Sequence, residues 1–339
     1  MTTVQKKRWG VHLVASLGGL GLLGLLIWKV GVIEVVGHLY QIGWLAPFAL
    51  LPYAAAALCD TKGWDYTIPQ TLHGRPVSLL HLSLSRLAGE AINNLTPTAN
   101  VGGEAVKVYL LRAYGITTEV GMASVVAAKT ALTVSQVIFI LLGLPFFLAY
   151  LGWGQHIWWV LGLFLIMAYG FVMLLIHWQR RGLAGMAIRM LRRWLPRWQK
   201  LEHWEVHARQ IDVNLLHFYD KNPRAFITST VYHLLGWLVG AVEVWIFFLL
   251  IGVSVDFFDA LIIETMLQPV TAAALVIPGG LGVREVGGVF LCRLLGIDEG
   301  AGLTLMVLKR VREAIYNSIG LVVLARAGGA FFLQRAQSV

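Results

Sequence analysis

The sequence predicts an all-α polytopic membrane protein, with about six full transmembrane helices plus two re-entrant helical hairpins in an inverted-topology internal repeat. Three observations lead to this fold class. Of the 339 residues, 58% are hydrophobic and 13% are charged, and the mean hydropathy of +0.71 lies outside the usual range of soluble proteins. Several segments reach the roughly 20 apolar residues that a bilayer-spanning helix needs. Part of the chain also aligns with a later part of itself.

The spanning segments follow from the apolar runs in chain order. The basic start precedes an apolar run that is too long for a signal peptide, so we expect residues 11–33 to form an N-terminal anchor helix. The further predicted spans are 44–63, 120–148, 157–177, 226–251 and 302–325. The chain 1–339 is then a single membrane domain with repeat one (44–148), a connecting helix (149–177), a basic amphipathic cytoplasmic linker (178–222) and repeat two (226–325).

The internal repeat places residues 97–138 on residues 278–319 without a gap, at an offset of 181 positions. Ten aligned positions are identical, where composition alone gives roughly three or four. The matches include Pro97 with Pro278, Glu104 with Glu285, Arg112 with Arg293, Gly115 with Gly296 and, as similar pairs, Lys129 with Arg310 and Gln136 with Asn317. Chance matches in such an apolar chain would mostly pair leucines, so this pattern indicates a duplication.

Loop charges predict how the two repeats are oriented. The basic N-terminus and the basic segment 178–209 fit the cytoplasmic side, whereas the acidic turns 252–259 and 297–299 fit the outer side. Segments 78–114 and 260–296 then each enter and leave on one side, which makes them re-entrant hairpins in repeats of opposite topology. Two fully crossing hairpins would give ten helices with the same loop sidedness, so charge alone leaves both arrangements open.

The hairpin tips carry helix breakers in otherwise apolar surroundings. They are "NNLTPTANVGG" (93–103) and "IPGGLG" (277–282). Non-helical backbone at membrane depth is tolerated where it is buried in protein or lines a polar cavity. We expect a helix to restart after each tip, at about 104 and 283, with its N-terminus aimed at the bilayer interior. Because such a terminus attracts anions, the two would bracket an anionic group near the midplane.

Charged and amide side chains accompany both tips and the last helix. A charge at the centre of a spanning helix costs at least about 2.5–3.5 kcal/mol on insertion scales, so several in one helix need partners or solvent. The predicted substrate-binding residues are Arg86, Glu90, Asn93, Asn94, Gly102, Gly103, Glu104, Lys107, Lys129, Gly279, Gly280, Gly282, Arg284, Glu285, Lys309, Arg310, Arg312 and Glu313. Cations exceed acids in the last helix, as a phosphate ligand would need. In the alternative interpretation the charges hold the helices together, Glu313 with Lys309 and Glu285 with Arg284.

Neither the linker nor the remaining motifs indicate a cofactor or a metal site. Five basic residues cluster around Pro196, and apolar residues recur every three or four positions, which predicts basic amphipathic helices on the cytoplasmic interface. The segment "HWEVH" (203–207) differs from the HExxH zinc motif because its Glu is displaced by one position. Cys59 and Cys292 are interpreted as small core residues. The net charge of +9 lies mainly in loops and the linker, which favours anionic lipid headgroups over nucleic acid as its partner.

The two tip motifs resemble a known family. "RLAGEAINNLTPTANVGGEAVKVYLL" and "IPGGLGVREVGGVFL", followed by a cationic last helix, are similar to the lysylphosphatidylglycerol synthase transmembrane-region family, over about residues 10–330. The resemblance implies lipid translocation at a bacterial or archaeal inner membrane. It assigns Arg86, Glu90, Asn94, Pro97, Gly102, Gly103 and Glu104 to one motif and Pro278, Gly279, Gly280, Gly282 and Glu285 to the other. Family members with a soluble aminoacyl-transferase domain are longer, so aminoacylation is not expected of this chain.

These observations favour a flippase or scramblase for an anionic, phosphate-bearing lipid in the bacterial inner membrane, with both termini cytoplasmic. We find no Walker A pattern, so we expect that the chain hydrolyses no ATP and that movement is downhill or ion-coupled. We expect a transporter rather than an enzyme. The alternatives are a membrane-embedded transferase acting on a lipid-linked substrate and a small-solute or ion transporter. The Gly-x-x-x-Gly pattern "GWLVG" (236–240) leaves a homo-oligomer open.

Overall fold

A computed structural model of the chain describes residues 37, 40, 42–69, 77–96, 101–152, 154, 157–194, 200–274, 277 and 280–337. All regular elements in these ranges are helical, so the predicted fold class is confirmed at the level of an all-α protein. The predicted anchor helix 11–33 lies outside the described residues, as do parts of both hairpin tips, including Pro97, Pro278 and Gly279.

The described part of the chain holds eleven α-helices and two 3-10 helices. The α-helices are α1 (Leu51–Asp65), α2 (Leu79–Leu95), α3 (Gly102–Leu111), α4 (Thr118–Tyr150), α5 (Ile157–Arg180), α6 (Leu183–Trp194), α7 (Lys200–Lys221), α8 (Pro223–Leu250), α9 (Phe257–Ala273), α10 (Val283–Leu294) and α11 (Glu299–Gln337). The 3-10 helices are Gly43–Leu50, directly before α1, and Arg112–Tyr114, directly after α3.

Four helices in the described ranges are long and apolar enough to cross a membrane. They are Gly43–Asp65, Thr118–Tyr150, Trp158–Arg180 and Pro223–Leu250. Each coincides with a span predicted from the sequence. The predicted span 302–325 lies within α11, which is long enough at 39 residues but carries four charged residues between Lys309 and Glu313. Its apolarity therefore falls below that of the other four.

Local signals explain where the helices begin and end. Ser78 and Thr117 precede α2 and α4, and their hydroxyl oxygens accept from the backbone N–H groups of His81 and Val120, each at 3.4 Å. Such N-caps satisfy an N–H that has no partner within the helix. The chain then leaves the Arg112–Tyr114 turn through Gly115, whose φ of +79° favours glycine.

Corresponding elements of the two halves recur at one spacing. Helices α3 and α10 begin at Gly102 and Val283, and helices α4 and α11 begin at Thr118 and Glu299, so both pairs of starts are separated by the offset of 181 found in the sequence. The packing is also reciprocal, because α2 packs against α11 and α9 packs against α4. Helix α1 packs against α8, its counterpart, at the centre of the bundle.

The buried apolar core lies in two main clusters. The larger joins α8, α9, α10 and α11 through residues such as Phe247, Ile263 and Leu305, and it also takes in the end of α4. The smaller joins α1, α2, α3 and α4 around Trp64 and Leu82. Helix α5, by contrast, has no buried residue in its apolar window, as suits a lipid-facing helix.

Helix α7 attaches the linker to the membrane helices. Leu215 and Phe218 on its apolar face are buried against α4, beside Ala123 and Ala127. The Tyr219 hydroxyl donates to Oε1 of Gln179 at 2.7 Å, and burial raises the pKa of Tyr219 to about 12, so the hydroxyl keeps its proton at neutral pH. The linker is therefore packed on the bundle along one face.

Candidate functional site

A cavity of about 350 Å³ lies between the two halves of the protein. Helices α1, α2, α3, α4, α8, α9, α10 and α11 all contribute to its wall. Of the eighteen residues predicted from the sequence, eleven line it: Arg86, Glu90, Asn93, Asn94, Glu104, Lys107, Lys129, Arg284, Lys309, Arg312 and Glu313. The structure thus brings residues from both hairpins and the last helix to one cavity.

The remaining predicted residues lie elsewhere. Gly279 is outside the described residues, and the cavity wall does not include Gly102, Gly103, Gly280, Gly282, Glu285 or Arg310. Gly103 instead lets α3 approach α2, because a Cβ at this position would overlap the carbonyl oxygen of Gly89 and lie 2.7 Å from Oδ1 of Asn93. Its backbone N–H donates to that Asn93 oxygen at 2.7 Å. This N–H is therefore already bonded within the protein.

The first turns of α3 and α10 each hold a buried carboxylate. Glu104 is 8% exposed and Glu285 is 1% exposed. A carboxylate in the first turn interacts favourably with the positive end of the helix dipole. At the start of α3 the N–H groups of Gly103 and Glu104 are already bonded to Asn93 and to the carbonyl oxygen of Val101, so these two are not free to bind an anion as predicted. For the start of α10 the anion site stays a prediction.

Sequence reasoning missed five polar lining residues, namely Tyr53, Asp60, His233, Glu243 and Glu264. They lie on α1, α8 and α9, in mostly apolar stretches of sequence away from the hairpin tips. A single ionisable residue inside a spanning helix is a functional candidate by itself, because its burial is costly. That signal is present in "LCDTKGW" for Asp60 and in "GAVEVWIFF" for Glu243.

In the first half, Arg86 is the centre of a charge network. Its Nη2 lies 2.7 Å from Oδ2 of Asp60 and 2.5 Å from Oε1 of Glu90. The other Asp60 oxygen, Oδ1, lies 2.7 Å from Nδ1 of His233. The network therefore links α2 to α1 and, through His233, to α8.

Glu104 holds the two lysines of the first half. Lys107 Nζ is 3.0 Å from its Oε2, and Lys129 Nζ is 3.6 Å from its Oε1. The Lys129 side chain is 45% exposed, whereas that of Lys107 is 14% exposed. Lys129 is therefore the more accessible and the more loosely held of the two.

In the second half, Lys309 and Arg312 of α11 share the acids of α8 and α9. Lys309 Nζ lies 2.7 Å from Oε2 of Glu264 and 3.8 Å from Oε2 of Glu243. Arg312 forms a close ion pair with Glu243, and its guanidinium carbon lies 4.1 Å from the ring centroid of Tyr53. These contacts bind α11 to α8, α9 and α1.

The acids of the last two helices pair differently from the alternative interpretation. Glu313 lies 2.6 Å from Nη1 of Arg284 and 2.9 Å from Nη1 of Arg310, and Glu285 pairs closely with Arg310. The predicted partners, Lys309 for Glu313 and Arg284 for Glu285, are therefore wrong. The physical reason is that Glu243 and Glu264, from α8 and α9, pair with Lys309. Glu313 instead pairs with Arg284 of α10.

The cavity lining is formally neutral. Its cations are Arg86, Lys107, Lys129, Arg284, Lys309 and Arg312, and its acids are Asp60, Glu90, Glu104, Glu243, Glu264 and Glu313. The cationic surplus predicted for the last helix holds along α11 but not in space, because α8, α9 and α10 supply Glu243, Glu264 and Glu285. Counting charges along one helix could not reveal acids that come from distant parts of the sequence.

Several buried polar atoms of the lining nevertheless have no hydrogen-bond partner within the described residues. On the nitrogen side they are Trp64 Nε1, His233 Nε2, Arg284 Nε and Arg312 Nε, and on the oxygen side they are Glu90 Oε2 and Glu243 Oε1. Trp64, His233, Glu243 and Arg312 are each more than nine-tenths buried. Since an unsatisfied buried polar group is costly, such a set requires water or a polar ligand in the cavity.

Two amide pairs join the halves beside the cavity. Asn94 Nδ2 donates to Oδ1 of Asn317 at 3.1 Å, and Gln136 Nε2 donates to Oε1 of Gln268 at 3.1 Å. The first pair connects α2 to α11 and the second connects α4 to α9. Gln136 and Asn317 are also aligned with each other in the sequence repeat.

The described residues contain no group of three or more His, Cys, Asp or Glu side chains arranged to hold a metal ion. Cys59 and Cys292 are both free thiols in these ranges, with Cys292 buried in the larger apolar cluster. This agrees with the interpretation of Cys292 as a core residue.

The comparisons with known proteins identify one family. The family model described as the lysylphosphatidylglycerol synthase TM region matches residues 11–320. This match covers nearly the whole chain, including both hairpin motifs and the charged part of the last helix. No curated protein and no solved structure matches the chain.

Proposed function

The chain belongs to the lysylphosphatidylglycerol synthase TM region family, and from this premise we propose that it is a lipid flippase or scramblase. The transported molecule is an anionic, phosphate-bearing lipid, and the membrane is the bacterial inner membrane. The headgroup passes through the cavity while the acyl chains stay in the bilayer. The family match and the four apolar spans support a membrane protein with a role connected to lipids.

One observation carries this proposal, namely a charge-lined cavity inside an apolar helical bundle, with buried polar atoms that have no hydrogen-bond partner among the described residues. A volume of about 350 Å³ is at the small end of the range for ligand cavities, which is roughly 300–1,000 Å³. It suits a compact headgroup rather than a whole lipid. Charged residues are expensive at membrane depth and therefore mark substrate pathways.

A phosphate can bind this neutral lining without breaking its ion pairs. Arg284 and Arg312 use Nη atoms for their carboxylate partners, and the Nε–H of each has no partner within the described residues. Charge-assisted hydrogen bonds from arginine to phosphate are among the stronger ones in proteins. Lys129, whose Nζ lies 3.6 Å from Glu104 and whose side chain is 45% exposed, supplies a more accessible cation. We assign the initial headgroup contact to Lys129 and the deeper contact to the two arginines.

The proposed architecture has two re-entrant hairpins, α2–α3 and α9–α10, in repeats of inverted topology. Helices α3 and α10, with 10 and 12 residues, are about 15 and 18 Å long, well below the roughly 30 Å of bilayer hydrocarbon. The common offset of helix starts and the reciprocal packing of α2 on α11 and α9 on α4 support the repeat. With the basic segments inside, both termini are cytoplasmic.

The proposal is tested with purified protein in vesicles that contain tail-labelled phosphatidylglycerol. A membrane-impermeant quencher reports how much label reaches the other leaflet. We expect the protein to speed this movement at least tenfold over protein-free vesicles, and we expect Arg312→Ala and Arg284→Ala to lose most of the gain. Arg293→Ala is the matched control, because Arg293 also lies on α10 but is 66% exposed and pairs with Glu299 outside the cavity.

Three outcomes would count against the proposal. Equal rates of label movement with and without protein would exclude lipid translocation as the function. Uptake of radiolabelled inorganic phosphate into vesicles without anionic lipid would favour the small-solute alternative. Formation of a new lipid species, seen by mass spectrometry after incubation with lipid-linked donors, would favour the transferase.

A further inference from the structure

His233 is a buried histidine of the cavity that the translocation path described above does not use. It lies on α8, lines the cavity and is 4% exposed. Its ring rests on Gly63 of α1, where a Cβ would lie 2.8 Å from Nε2. Glycine at position 63 thus leaves room for the ring between α1 and α8.

The hydrogen bonds of His233 fix which nitrogen carries the proton. Nδ1 lies 2.7 Å from Oδ1 of Asp60, and Oδ2 of the same carboxylate is paired with Arg86 at 2.7 Å. An ionised carboxylate only accepts hydrogen bonds, so Nδ1 is the protonated nitrogen of the neutral ring. Nε2 then holds a lone pair, and it has no partner within the described residues. Nε2 is therefore the one ring atom of His233 that can take up a further proton.

The charged groups that share the cavity with His233 come from all eight lining helices. Asp60 on α1 contacts the ring directly, at 2.7 Å. The other charged lining residues are Arg86 and Glu90 on α2, Glu104 and Lys107 on α3, Lys129 on α4, Glu243 on α8, Glu264 on α9, Arg284 on α10, and Lys309, Arg312 and Glu313 on α11. Because the six lining cations match the six lining acids, neutral His233 leaves the cavity without net charge.

We propose that His233 Nε2 is a proton-binding site that couples headgroup translocation to proton movement. This inference rests on the proposed function. A phosphate diester headgroup brings one negative charge into the neutral cavity, and a proton on Nε2 restores neutrality. The proton adds to the Nε2 lone pair while Nδ1 keeps its proton and its bond to Asp60. Since an uncompensated charge in a low-dielectric site is costly, headgroup and proton each favour the binding of the other.

Imidazole suits this role because it can carry a second proton at Nε2 while Nδ1–H keeps its hydrogen bond. The bound pair of one anionic headgroup and one proton carries no net charge across the membrane. Movement of the pair is therefore sensitive to a pH gradient and insensitive to the membrane potential. With one proton per headgroup, a gradient of one pH unit changes the equilibrium distribution of the lipid about tenfold.

The test uses vesicles with the full chain, tail-labelled phosphatidylglycerol and a trapped pH dye. A pH gradient of one unit, acid outside, is imposed in one arm, and a potassium diffusion potential set with valinomycin in the other. For the wild type we expect the label to shift inward with the pH gradient, acidification of the lumen only when the anionic lipid is present, and no response to the potential. His233→Gln is expected to lose the pH response and to respond to the potential.

His217→Gln is the matched control, because His217 is an exposed histidine of α7 outside the cavity, and we expect it to behave as the wild type. Lipid movement in the wild type that follows the potential, ignores the pH gradient and leaves the dye unchanged would overturn the proton site while the flippase stands. This measurement uses only the wild-type protein, so it does not depend on whether a variant folds. If the wild type moves no lipid in either arm, the proposed function itself fails.

Discussion

Lys309 Nζ lies 2.7 Å from Oε2 of Glu264, and the exposed fractions of the two side chains are 3% and 10%. The pair joins α11 to α9, two helices of the same half, across the wall of the cavity. Two charges leave water at this position, so each depends on the other for its solvation. A substitution that breaks this pair should therefore lower the stability of the protein and also change the charge of the cavity wall.

We expect Lys309→Met and Glu264→Gln to destabilise the protein when introduced singly. Removing one partner of a buried ion pair typically costs about 3–5 kcal/mol, because it leaves the other charge uncompensated. The double variant should recover a large part of that loss. The measurement is a double-mutant cycle from thermal unfolding of the detergent-solubilised protein. Single variants as stable as the wild type would show that the pair has no energetic role.

Gly103→Ala is expected to impair the packing of α3 on α2. The new Cβ would overlap the Gly89 carbonyl oxygen, which is backbone and cannot rotate away. Overpacking of this kind costs typically about 1–3 kcal/mol. The yield of monodisperse protein on size-exclusion chromatography and its melting temperature measure the effect.

Gly162→Ala is the matched control for this substitution, because Gly162 is also within a helix, α5, and has open space where its Cβ would be. We expect it to be neutral or to add up to about 1 kcal/mol through the higher helix propensity of alanine. If both variants behave alike, the close approach of the two helices at Gly89 and Gly103 is incorrect.

The spans could be predicted from the sequence because apolar length is a local property. The prediction 120–148 corresponds to Thr118–Tyr150, and the prediction 226–251 corresponds to Pro223–Leu250. The starts of α3 and α10 could also be predicted, because each helix begins at or just after a glycine-rich tip. Nine of the twelve charged lining residues were also predictable, since charges near tips and in the last helix are conspicuous in an apolar chain.

The partners of those charges could not be predicted in the same way. Asp60 and His233 are separated by 173 positions, and no periodicity in either helix refers to the other. Lys309 has the i, i+4 neighbour Glu313 on its own helix, yet its ion-pair partners lie on α8 and α9. Tertiary packing brings Glu243 and Glu264 next to the cations of α11. The cationic surplus along that helix is thereby balanced, and the cavity lining as a whole is neutral.

The amide pair Asn94–Asn317 gives a direct test of how the halves meet. In a variant without Cys59 and Cys292, we expect Asn94→Cys with Asn317→Cys to be cross-linked by a short bifunctional thiol reagent, because the amide groups of these residues are 3.1 Å apart. Gln136→Cys with Gln268→Cys should behave in the same way across α4 and α9. Mobility on denaturing gels after proteolytic cleavage in the linker reports the link.

Asn94→Cys with Ser318→Cys is the negative control for this cross-link. Ser318 is the next residue on α11 but is exposed and bonds its hydroxyl to the backbone oxygen of Ala314. One position along a helix turns a side chain by about 100°, so this pair should react much more slowly. Equal cross-linking of both pairs would mean that α2 and α11 do not hold the register described.

Asp212 is expected to stabilise the start of α6 from outside the membrane helices. Its carboxylate accepts from the backbone N–H groups of Ala184 and Gly185 at 3.0 and 2.8 Å, directly after the turn at Gly182. Loss of such a cap costs about 0.5–2 kcal/mol, so Asp212→Ala should fray α6 and expose its arginines to limited trypsin digestion. Asp220→Ala serves for comparison, since Asp220 is exposed and its contact with Arg180 is long at 3.9 Å. We expect faster cleavage within 183–194 for Asp212→Ala alone; equal cleavage of wild type and both variants would show that the cap does not hold this helix.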